Sequence, residues 1–202
     1  MEAFSDGVIA ILITVMVLEL RIPHGTTWSA LRESLPLLLT YLLSFVYLGI
    51  YWNNHHHLLM LTERVSGLVL WANLHLLFWL SLIPFTTGWL GENEFAATPA
   101  AAYGIVLLAA SLAYFALQAA IIHAQGNTSR LALAIGRDLK GKVSPVLYAI
   151  GIGLAFVNRW LSVAVYVAVA LMWLIPDRRV ERAFTPAGVP PAGGSPDVPP
   201  EP

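Results

Sequence analysis

The sequence predicts an all-α, polytopic integral membrane protein with six transmembrane helices. Three observations carry that expectation. Hydrophobic residues make up 57% of the chain and charged residues 11%, where soluble domains carry about 25% charged residues; the mean hydropathy is +0.70. Apolar stretches of spanning length recur between short polar segments. Basic residues are distributed unequally among those segments, the asymmetry that orients a chain in a bilayer.

The first stretch, about residues 4–20, places an apolar run from Gly7 to Leu18 between Asp6 and Glu19. It is short for a span, since about 20 apolar residues cross a bilayer core. At 100° per residue, Ile11, Thr14, Val15 and Leu18 fall at i, i+3, i+4 and i+7 and share one face, with Thr14 supplying its only side-chain hydroxyl. Ser5 and Asp6 fit a helix N-cap, and they equally fit a buried polar network, because an acid at an inserted helix end needs a partner. Two readings also fit Glu19: a ring of carboxylates at a pore mouth, or an ion pair with Arg21 or Arg32.

A loop from Ile22 to Ser34 leads to the second span, about 35–55, which has Pro36 in its first turn and ends in Trp52-Asn53-Asn54-His55-His56-His57. Consecutive helical imidazoles point about 100° apart and make a poor chelate, so no metal site is assigned. These rings and the Trp52 indole are expected to hydrogen-bond across to another helix end, Asp6 among the candidates. The third span, about 65–89, contains Asn73, His75 and Ser81 and a kink at Pro84. His75 reads as an interhelical hydrogen-bonding residue, with a proton relay as the alternative. Thr86 to Gly91 reads as a turn into the acidic loop Glu92-Asn93-Glu94 and not as a selectivity loop of the TVGYG kind, because its glycines are differently spaced.

The fourth span, about 95–124, is alanine-rich, and Gly104, Ala109, Ala110, Ser111 and Ala113 permit close helix packing. A basic loop, Gln125 to Lys142, precedes a tight antiparallel pair, about 143–157 and 160–176. Residues 1–182 thus form one membrane domain, and the Pro- and Gly-rich stretch 183–202 reads as a disordered tail. An even number of spans puts both termini on one side. Arg64, Arg130, Arg137, Lys140, Lys142, Arg178, Arg179 and Arg182 share that side, which assigns it to the cytoplasm of a cell membrane.

Several function classes fall away. A formal net charge of -1 leaves no basic excess for nucleic acid, and the absence of cysteine removes thiolate chemistry. The N-terminal run lacks the basic region and small-residue site of a cleavable signal. No helix carries arginines at every third position, so voltage sensing of the usual kind is not expected.

Phe4-Ser5-Asp6 opens the first helix, Tyr51-Trp52 followed by His55-His56 ends the second, and Asn73 through Pro84-Phe85 lies in the third. In these features the chain resembles the transmembrane protein 175 family of potassium channels, in its bacterial form with six helices per chain. The family pattern carries an arginine four residues before that phenylalanine, a position ahead of Met1 here. The resemblance implies a non-enzymatic, potassium-selective homotetramer with no cofactor beyond the permeant ion, in which the first helices surround a central axis. By position it implies a hydrophobic gate at Ile11 and ion-facing hydroxyls at Thr14, with Val15 and Leu18 on the same face, and a structural network of Ser5, Asp6, Trp52, His55, His56 and Asn73. Two other classes remain open on the residues alone: a proton or cation transporter using Asp6 and His75, and a membrane metalloenzyme built on the histidine run.

Overall fold

A computed structural model describes residues 1–126 and 139–174, and all regular structure among them is helical. The elements are α1 (Glu2–Leu18), α2 (Trp28–Glu33), α3 (Leu35–Met60), α4 (Gly67–Ser81), α5 (Ile83–Glu92), α6 (Ala97–Gln125), α7 (Leu139–Ala155) and α8 (Arg159–Leu174). Among the described residues, three stretches are long and apolar enough to cross a membrane: Leu35–Met60, Gly67–Glu92 and Ala97–Gln125. Most of the basic loop and the whole Pro- and Gly-rich tail lie outside the described residues.

Local chemistry explains where these helices start and stop. Thr27 Oγ1 accepts from the Ala30 amide at 3.4 Å and opens α2, a helix inside the segment read above as a plain loop. Ser66 does the same for α4 through the Val69 amide. The expected kink is a break between α4 and α5. Pro84 has no amide hydrogen and sits in the first turn of α5, while Leu82 stays right-handed and its amide closes onto Trp79 O at 3.2 Å, so the chain changes direction with little loss of pairing. The Thr86–Gly91 stretch is helical and not a turn. The turn follows it, at Glu94 and Phe95, whose φ angles of 48° and 60° are left-handed.

The remaining packing surrounds α6, which meets α4, α5, α7 and α8. Its core is rich in tyrosine. Tyr47 donates to Tyr166 O at 2.6 Å, Tyr166 donates to Ala100 O at 3.1 Å, and Ser44 bonds both Thr87 (2.6 Å) and Tyr103 (3.0 Å). In lipid the apolar surface of a helix gains little by leaving its surroundings, so close packing and satisfied polar atoms have to specify the arrangement. Gly104 of α6 and Gly151 of α7 both face the Tyr166 ring; a Cβ on Gly104 would collide with the Tyr166 hydroxyl, and one on Gly151 would lie 2.5 Å from Tyr166 Cε1. Gly104→Val is therefore expected to cost about 1–3 kcal/mol by overpacking, read as a lower thermal midpoint of the purified protein, while Gly153→Ala, with open space around its Cβ position, should change little.

Helix α1 lies to one side of this arrangement and packs against α3, α4 and α5. Its seventeen residues rise about 25 Å at 1.5 Å each, just short of a bilayer core of about 30 Å.

Candidate functional site

The two faces of α1 differ sharply. Ser5, Ile9, Leu12 and Met16 are buried against the neighbouring helices at spacings of four, three and four residues. Rotated away from them, Ile11 is 61% exposed and Leu18 83%, with Thr14 and Val15 also exposed. Ala10 and Gly7 extend that surface towards the N-terminus, and a Cβ on Gly7 would touch nothing within 4 Å. The Thr14 hydroxyl donates to Ile11 O at 2.8 Å. With its hydrogen committed to its own helix, the oxygen keeps its lone pairs for a group approaching from the exposed side.

The inward face is pinned by polar atoms. Asn73 of α4 donates through Nδ2 to Ser5 Oγ at 2.9 Å and, through Oδ1, meets His55 Nε2 of α3 at 2.7 Å. Because the amide oxygen can only accept, His55 carries its hydrogen on Nε2. Ser5 Oγ in turn donates to Met1 O at 3.2 Å. Ser5, His55 and Asn73 are all buried, so one residue from each of three helices meets in a dry junction. Asp6 lies just outside it and accepts from Trp52 Nε1 at 3.0 Å. His56 stacks on Trp52 with ring centroids 6.0 Å apart and, through Nδ1, reaches Glu2 Oε1 at 3.0 Å.

The capping alternative for Ser5 and Asp6 does not hold, because α1 begins at Glu2 with Met1 as its N-cap and no side-chain cap bond. At the other end, Glu19 is exposed, and its Oε2 would lie 3.4 Å from a Cβ on Gly88 of α5. Arg21 pairs with Glu92 at 2.6 Å and not with Glu19, the acid considered for it from sequence. His75 is exposed on α4 and accepts from Trp79 Nε1 at 2.9 Å, one turn along its own helix, in place of an interhelical bond.

A model of the family described as endosomal/lysosomal potassium channel TMEM175 matches residues 1–84, the segment that contains α1, α3, α4 and the junction between them. Over 184 residues the chain is 50% identical to a potassium channel of Chryseobacterium sp. (strain P1-3), covering 91% of this chain and 96% of that one. The chain belongs to the TMEM175 family.

A second relative, a potassium channel of Streptomyces collinus, is 31% identical over 183 residues, 85% of this chain and 89% of its own. The fold matches the crystal structure of a lysosomal potassium-selective channel TMEM175 homolog from Chamaesiphon minutus with a TM-score of 0.76 at 30% identity, over 88% of this chain and 95% of that one. These relatives are channels and not enzymes, which closes the metalloenzyme reading of the histidine run.

Sequence reasoning missed two groups that the TMEM175 fold brings into play. Glu2 reads in isolation as an acid favoured by the positive end of a helix dipole, and nothing in the sequence links it to His56, 54 positions away. Ser44, Thr87 and Tyr103 carry no motif. Their only signal is that each is a hydroxyl inside an apolar stretch, where a partner is obligatory.

Proposed function

We propose that this chain forms a potassium-selective channel of six spans per subunit, assembled as a homotetramer around four copies of α1. Ile11 supplies a hydrophobic constriction, Thr14 hydroxyls take up ions that have shed part of their hydration, and Val15 and Leu18 line the same path, with Glu19 at its mouth. The observation that carries the reading is the asymmetry of α1. One face is tied to α3, α4 and α5, while the other presents Ile11, Thr14, Val15 and Leu18 outward. A threonine lone pair on that face is useful to a permeating cation and has no role towards lipid. One chain contributes one such helix, so a closed pore requires symmetric copies. Ser5, Asp6, Trp52, His55, His56 and Asn73 act as the anchor that holds α1 in register with its own subunit. The excess of Lys and Arg on the terminal side places both termini in the cytoplasm of a cell membrane.

The test is ion flux through purified protein in liposomes under a potassium gradient, with sodium exchanged for potassium in parallel. Potassium-preferring flux that needs no coupled proton movement is expected. Flux strictly coupled to protons, or none, would reject a channel and favour a transporter using Asp6 and His75. In the same assay Thr14→Val should lower the preference for potassium over sodium by about fivefold, the equivalent of one lost oxygen contact of about 1 kcal/mol. Thr14→Ser, which keeps the oxygen, should retain most of it. An unchanged ratio in Thr14→Val removes Thr14 from the ion path.

A further inference from the structure

Beside the dry junction lies a second cluster with different chemistry. One ligand atom each from Glu2 and Asp6 of α1 and His56 of α3 lie within 4.8 Å of one another. Glu2 and Asp6 are four residues apart and so share a helix face, and His56 closes the triangle from the neighbouring helix. We infer that these side chains form a binding site for a divalent transition-metal ion of the zinc class, bridging α1 to α3.

The donor set selects that class. Two carboxylate oxygens and an imidazole nitrogen suit Zn²⁺, Co²⁺, Ni²⁺ or Mn²⁺, whereas Ca²⁺ and Mg²⁺ prefer oxygen alone. Metal–ligand bonds of about 2.0–2.1 Å put tetrahedral donors about 3.3 Å apart, so side-chain rotation of little more than 1 Å closes the site. Glu2 has the freedom for this, since its side chain is 47% exposed, and the exposure also gives an ion a way in. The other two donors are held from behind by one residue. The Trp52 indole donates to Asp6 Oδ1, leaving Oδ2 for an ion, and it stacks flat on the His56 ring, with an interplanar angle of 22°. Outer contacts that fix ligand orientation in this way are a regular feature of metal sites. The Glu2–His56 contact at 3.0 Å takes the place of the ion when none is bound. Metal entry displaces the Nδ1 hydrogen, which leaves to solvent from an imidazolium or is replaced by one on Nε2 in a neutral ring, after which the Nδ1 lone pair and both carboxylates face one cation. Consecutive imidazoles at His55-His56-His57 chelate poorly, but this site uses one imidazole, with acids from another helix.

The site is tested by binding, independently of ion conduction. Zn²⁺ alone, titrated into the purified full-length protein and followed by calorimetry, should bind saturably at one ion per chain and raise the thermal midpoint. Co²⁺ should replace it with visible ligand-field bands. Glu2→Gln and His56→Ala should each weaken Zn²⁺ binding at least about tenfold, while His24→Ala, at an exposed histidine in the segment between α1 and α2, should leave it unchanged. Glu2 is exposed and makes no hydrogen bond to Ser5, His55 or Asn73, so Glu2→Gln remains informative if His56→Ala fails to fold. The inference is overturned by absence of saturable binding, by Zn²⁺ affinity that survives both substitutions, or by Ca²⁺ binding as tightly as Zn²⁺, which would exclude the imidazole as a ligand.

Discussion

Potassium flux through liposomes containing the Ile11→Asn variant is expected to exceed that of the parent protein by about tenfold or more. The expectation follows from the proposed constriction. A ring of isoleucine side chains excludes water when narrow, and an ion then crosses only by giving up hydration that the ring cannot replace. Asparagine is smaller and carries both a donor and an acceptor, so the same ring stays wet. Each 1.4 kcal/mol removed from the barrier is a factor of ten in rate, and rehydrating a single narrow layer need supply no more than that. The substitution lies on the face of α1 turned away from α3, α4 and α5, where Ile11 is 61% exposed, so the fold of the subunit should tolerate it. The matching substitution on the buried face, Leu12→Asn, serves as the contrast: it should lower stability and yield without specifically raising flux. Unaltered flux in Ile11→Asn would mean that the constriction lies elsewhere.

The Asn73→Leu variant is expected to lose about 2–3 kcal/mol of stability. Asn73 is the middle residue of the junction, bonded on one side to Ser5 and on the other to His55, and it is 2% exposed. Leucine has the branched shape of asparagine and is somewhat larger, so the cost is not a cavity. It comes from leaving the His55 Nε2–H without an acceptor and Ser5 Oγ without a donor in a site closed to water, and one buried orphan costs about 1–3 kcal/mol. For a chain of this length the loss lowers the thermal midpoint by about 4–12 °C, measured in the detergent used for purification. Because Asn73 ties α1 to α4, hydrogen exchange in α1 should rise more than in α6, which packs on its other neighbours. An unchanged midpoint would show that apolar packing alone holds α1 in place.

How much of this was legible beforehand depends on the kind of interaction. The 3.6-residue period grouped Ile11, Thr14, Val15 and Leu18 on one face without any structure, because that grouping depends only on helix geometry. It could not say which face of an almost wholly apolar helix meets protein, since Ile9, Leu12 and Met16 form an equally hydrophobic stripe. Ser5, Asp6, Trp52, His55, His56 and Asn73 were conspicuous as polar groups at apolar helix ends, each in need of a partner. Their pairing was not legible. Trp52 takes Asp6, Asn73 takes both Ser5 and His55, and His56 takes Glu2, a residue that no local pattern singles out. The α4–α5 break was visible as Pro84, since a missing amide hydrogen acts locally, whereas the helical state of Thr86–Gly91 was not, because small polar residues and glycines write the same local pattern in turns and in tightly packed helices. Gly91 illustrates the reason: a Cβ there would sit 2.6 Å from Thr40 Oγ1 of α3, so its lack of a side chain serves helix contact and not chain reversal.

What the sequence determined by itself is therefore what hydropathy, helical period and local backbone chemistry determine: a helical membrane chain, the residues that share each face of α1, and the bend at Pro84. Only the tertiary structure decided which face of α1 is anchored, which polar side chains pair, and that two carboxylates and an imidazole from separate helices come within 4.8 Å of one another. Those outcomes rest on contacts between residues 18 to 68 positions apart, and in a membrane, where apolar burial between helices contributes little orientation, such contacts are fixed by the mutual fit of polar partners and close packing that no single segment encodes.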